Sequence, residues 1–113
     1  MTRTISSIVD DLAAALDEVL ATVRREFPDD ARAVELALER SRHVGSTVGV
    51  SAIEARDLAG QVSGLMADRP GSLGEAIIGR DNYEERYRLN EAFDALRLRV
   101  RRLAAELDDA VGK

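Results

Sequence analysis

One imidazole is present in the chain, His43, and Glu39 stands four residues before it, so on a helix the two side chains would share a face in the manner of paired metal ligands. A closed site needs further ligands, and neither a second histidine nor a Glu-x-x-His pair supplies them. The plainer role for His43 is a helix-end residue whose charge suits a C-terminus. Adjacent carboxylates occur at Asp10-Asp11, Asp29-Asp30, Glu84-Glu85 and Asp108-Asp109. General acid–base catalysis needs two carboxyls that converge in a cleft with separated pKa values. Neighbours along a helix point apart, so these pairs read as capping and solvation. The absence of cysteine removes disulfides, thiolate nucleophiles and thiolate metal sites together. Neither the Gly-x-Ser-x-Gly elbow nor a phosphate-cradling glycine loop occurs. The expectation is a non-enzymatic chain with no catalytic residue, cofactor or metal site.

Arg97, Arg99, Arg101 and Arg102 form the one local basic cluster. The net charge is −5 and Lys113 is the only lysine, which argues against general nucleic-acid binding, because that affinity comes from a basic surface neutralising phosphates. The arginines flank an apolar seam, with Arg97 and Arg99 at the positions written e and g in heptad notation. Charges there select partner and register. The predicted interface therefore uses Leu96, Val100, Leu103 and Leu107 as apolar contacts and Arg97 and Arg99 as selectors.

Tyr87-x-x-x-Glu91 resembles the Tyr-x-x-x-Asp/Glu signal of the small helical proteins exported by type VII secretion systems, and the chain length is similar. The resemblance covers two residues and implies an export signal on this helix. Those proteins also carry a Trp-x-Gly turn between two helices, and this chain has no tryptophan. Read from the residues alone, Tyr83 and Tyr87, one turn apart, predict the aromatic edge of the last helix's buried face.

These residues need helices to position them. Ile5, Val9, Leu12, Leu16, Val19 and Val23 alternate spacings of four and three, the seam of a helix that packs lengthwise on others. Phe27-Pro28 closes it, since the residue before proline is pushed out of the α region. A second helix opens at Asp29 or Asp30 and carries Val34, Ala37, Leu38 and Ser41. Two glycines and three β-branched residues between His43 and Val50 favour a break, although the seam continues in phase through Val48 and Ala52, as one unbroken helix would require. Ser51-Ala52-Ile53-Glu54 reads as a capping box. Asp68-Arg69-Pro70-Gly71 reads as a turn, and Ser72-Leu73-Gly74-Glu75 as a second capping box before a short helix. The last helix carries Leu89, Phe93, Leu96, Val100, Leu103 and Leu107 at four-three spacing. Gly45-x-x-x-Gly49 and Gly60-x-x-x-Gly64 suit close helix approach or fraying.

The 113 residues, 45% hydrophobic and 33% charged, suffice for one core but not two. The predicted fold is all-α: a single antiparallel bundle of about four helices, at about 4–27, 29–43, 51–67, 72–79 and 81–111, with long first and last members. No stretch approaches the roughly 20 apolar residues of a membrane span, and the N-terminus lacks the apolar region of a signal peptide. The expected address is cytoplasmic. Three long seams in one small chain predict a leftover apolar stripe. The expected function is a helical protein–protein interaction module that self-associates, with a small regulatory partner protein as the alternative.

Overall fold

The computed structural model describes residues 3–46, 51–67 and 72–112. Among them are four α-helices: α1 (Ile5–Glu26), α2 (Ala31–Ser46), α3 (Ala52–Leu65) and α4 (Tyr83–Val111), with 3-10 turns at Pro28–Asp30 and Leu73–Glu75. Side-chain oxygens of Thr4, Ser51 and Asn82 accept from the N–H groups of Ser7, Glu54 and Glu85, at 3.1, 3.1 and 2.9 Å. Each thereby satisfies a donor that the first helical turn leaves open. α1 ends at Glu26, immediately before Phe27-Pro28, as the sequence predicts.

Consecutive helices run antiparallel, and α4 closes the ring against α1. Arg3 lies beside Glu106 at one end of the α1–α4 pair, Glu18 faces Arg99 at 2.9 Å, and Phe27 stacks on Phe93 at 5.8 Å at the other end. Arg24–Glu35 at 3.2 Å and Asp17–Arg42 at 3.8 Å record the antiparallel register of α1 and α2. Arg40 reaches Gln61 at 3.2 Å and Asp57 at 3.6 Å, joining α2 to α3. Every seam residue of α1 from Val9 onward is buried, and with Val34, Leu38, Leu58, Val62, Phe93, Val100 and Leu107 they form one core cluster drawn from all four helices. The all-α bundle predicted from periodicity is therefore the observed fold, elongated at 49 × 28 × 22 Å. No helix among the described residues is long and apolar enough to cross a membrane.

The helices differ in reach. At 1.5 Å per residue α3 covers about 21 Å and α4 about 43 Å, so α3 leaves the N-terminal half of α4 without a helical neighbour on that side. The chain after α3 fills part of that gap. Leu73 and Ile78 insert into the core from this connection, and Gly74 passes so close to α3's end that a Cβ there would lie 2.5 Å from the carbonyl oxygens of Met66 and Ala67.

Two local expectations change. The predicted helix at 72–79 is only the turn Leu73–Glu75, followed by extended backbone at Ala76. The Ser72 hydroxyl donates to the Ala67 carbonyl at 2.7 Å instead of capping a helix, and the Ile78 backbone is claimed by Asn90, so neither end supports a longer helix. The second helix runs to Ser46, past the predicted end at His43. The break before α3 is present, because Ser51 has extended dihedrals and caps a new helix. Gly45 does mark close approach, since a Cβ there would meet Asp10 and Val9 of α1 at 3.1 and 3.4 Å, whereas Gly60 and Gly64 face open space. Gly49, the segment 47–50 and the turn at Asp68-Arg69-Pro70-Gly71 lie outside the described residues.

Candidate functional site

The residues predicted as an interface are mostly interior. Val100 and Leu107 are fully buried, Leu103 is nearly so and Leu96 is half-buried, all four packed with side chains of the bundle core. The seam of α4 is the surface on which α1 and α3 sit, so the expectation of a free stripe at Leu96, Val100, Leu103 and Leu107 is corrected. The arginines divide by direction. Arg97 is 6% exposed and donates from Nη1 to the carbonyls of Leu73 at 3.1 Å and Ala76 at 2.8 Å. Its Nη2 pairs with Asp94, and its guanidinium lies 4.5 Å from the Phe93 ring centroid. One turn on, Arg101 donates to Met66 O at 3.0 Å and Gly74 O at 3.3 Å. The pair ties the connection to α4 through backbone carbonyls at the end of α3 and along the connection, of which Leu73 O also accepts from the Ala76 N–H at 3.3 Å. Arg97 is therefore an internal staple, not a selector; Arg99 is exposed and pairs with Glu18 of its own chain.

The exposed apolar surface lies elsewhere. Asp81 to Arg88 are all exposed, and since Phe93 stands level with the end of α1, the start of α4 overhangs that end by about 15 Å. The connection runs beside it. Asn90 holds Ile78 by both backbone groups, accepting from its N–H at 2.8 Å and donating to its carbonyl at 2.9 Å, as a neighbouring strand would. Because side chains alternate along extended chain, anchoring Ile78 inward turns Ile77 outward. Ile77, Tyr83 and Tyr87 are 74%, 68% and 58% exposed. With Arg86, Asn90, Asp94 and Arg97 they line an open groove of about 290 Å³. Arg86 lies over the Tyr83 ring, 5.5 Å from its centroid. The connection is also secured at its far end, where Arg80 meets the nearly buried Glu26 at 2.6 Å and this hydrogen bond holds the Glu26 carboxyl below its ordinary value.

Placing the tyrosines on a buried face is thus overturned, and the sequence held the signal. The four-three seam continued back from Leu89 falls on Arg86 and Asn82, both polar, so the buried stripe stops at Leu89 and the tyrosines lie off it. The position of Ile77 needed the Asn90 clamp and had no local signal. Tyr87 and Glu91 stand exposed on consecutive turns. His43 is exposed in the last turn of α2, and Glu39 approaches Arg32 at 4.0 Å. Among the described residues no three His, Cys, Asp or Glu side chains gather as metal ligands.

The fold and groove define a four-helix bundle with an overhanging aromatic helix end. Compared with protein-family models, curated proteins and solved structures, the chain matches none.

Proposed function

We propose that this chain is a non-enzymatic helical interaction domain that holds a segment of another protein in the groove at the start of α4. The observation that carries the reading is the cluster of Ile77, Tyr83 and Tyr87, three large apolar side chains exposed side by side. Leu36, Ile53 and Leu98 are the other large exposed apolar residues among those described, and none of them lines this groove. Isolated apolar residues are ordinary on protein surfaces, whereas a contiguous aromatic patch around a concavity marks a contact site. Tyrosine is suited to such a site, because it offers large area with little conformational entropy to lose. Self-association through the seam of α4, the form first expected from the sequence, loses its motivation once that seam is internal.

Site-specific photo-cross-linking tests the reading in the native host. A benzophenone side chain replacing Tyr87 is expected to give a discrete adduct heavier than the chain, while the same group replacing the exposed Arg102 gives none. An adduct of twice the chain's mass would restore self-association, and equal labelling from both positions would remove the groove as a contact site.

A further inference from the structure

The groove also constrains what kind of segment it takes. Its area comes first. The exposed portions of Ile77, Tyr83 and Tyr87 amount to on the order of 400 Å², given that an aromatic side chain carries roughly 150–250 Å². A stable dimer of folded surfaces needs about 800 Å² from each partner. The patch is half of that, which suits one or two side chains of a short segment and not the face of a second copy. Its charge comes next. Asp94 is paired with Arg97, whose other donors hold the Leu73 and Ala76 carbonyls, and both Asn90 amide protons are engaged by Ile78 O and Arg86 O. Arg86 is the one charged lining group with no carboxylate partner among the described residues. Its guanidinium stands at the edge of the apolar wall, beside Tyr83, free to bind a carboxylate with two parallel hydrogen bonds.

Resting on the docking reading above, we propose that the occupant is a protein segment with an acidic residue next to a large apolar side chain. The apolar side chain packs between Ile77, Tyr83 and Tyr87, and the carboxylate meets Arg86. A ligand lacking the acid would cover the guanidinium without replacing its water, and a basic one would be repelled. The surrounding molecule carries a net charge of −5, so an acidic preference would have to arise in the groove and not from general attraction.

The test is selection from a random displayed peptide library on the full-length chain, with recovered peptides titrated against wild type, Ile77→Ser and Arg86→Glu. Tyr83 and Tyr87 are the only tyrosines and tryptophan is absent, so with tyrosine-free peptides the protein's tyrosine emission reports on this groove alone. Both replaced side chains are exposed, and circular dichroism checks that the variants stay helical. The proposal predicts peptides enriched in Asp or Glu beside Leu, Ile or Phe, with affinity lowered about tenfold or more by either substitution, tenfold being about 1.4 kcal/mol. Peptides that need Ile77 but show no acidic enrichment and ignore Arg86→Glu would overturn the acidic preference and leave the docking reading standing. Peptides insensitive to both substitutions, or none recovered, would overturn both.

Discussion

Replacing Arg97 by alanine strips the Ala76 carbonyl of its donor, leaves the Leu73 carbonyl only the Ala76 N–H at 3.3 Å, and removes the cation from the Phe93 ring, in a place only 6% exposed. An unsatisfied buried polar group costs about 1–3 kcal/mol, so Arg97→Ala is expected to lower unfolding free energy by about 2–4 kcal/mol in urea titrations. Arg99→Ala removes only an exposed ion pair and should change it by less than about 1 kcal/mol. Equal effects would refute the division between staple and surface charge. Gly74→Ala is a second residue-scale case, because the added methyl would stand 2.5 Å from two carbonyl oxygens of the backbone. Overpacking of this kind costs about 1–3 kcal/mol, again read from urea unfolding. Glu26 adds a pH dependence. Its folded pKa lies below the ordinary value of about 4.5 because Arg80 hydrogen-bonds the carboxylate, so its stabilisation is present above that value and is lost as pH falls through the folded pKa. Wild type should therefore melt higher than Glu26→Gln at neutral pH, and the gap should close below about pH 4.5.

At the scale of elements, legibility followed regular spacing. α1 and α4 were readable because a seam at alternating intervals of four and three can only be buried by helices lying alongside, and local chemistry sets the end of α1 at Phe27-Pro28, the start of α4 at Asn82 and the start of α3 at Ser51. The connection after α3 was misread because Ser72 to Glu75 carries a capping pattern whose hydroxyl finds a tertiary partner, Ala67 O. Its shape depends on Arg97, Arg101 and Asn90, which lie 12 to 35 positions further along the chain. Such long-range hydrogen bonds leave no periodic trace. The groove was half legible. Its tyrosines could have been placed outside by extending the seam to Arg86 and Asn82, while Ile77 could not. One prediction belongs here: Tyr83→Ser with Tyr87→Ser should alter stability by no more than about 0.5 kcal/mol per site, whereas Leu107→Ala should cost about 2–5 kcal/mol. Thermal unfolding of the two variants compares them directly.

At the scale of the molecule, the ring of four helices internalises the three long seams of this small chain, and α3's shortness leaves the start of α4 uncovered. The exposed apolar cluster around the groove lies on the overhang of α4, beside a connection held by arginine and asparagine side chains rather than by a fifth helix. The most direct measurement is the solution mass from light scattering over a concentration series, taken together with circular dichroism, for wild type and for Val100→Asp. A buried, unpaired carboxylate in the core is strongly destabilising. A monomeric, helical wild type and an unfolded Val100→Asp are predicted. A wild-type dimer that Val100→Asp converts into a folded monomer would show that the seam of α4 is the interface after all, and would contradict the account.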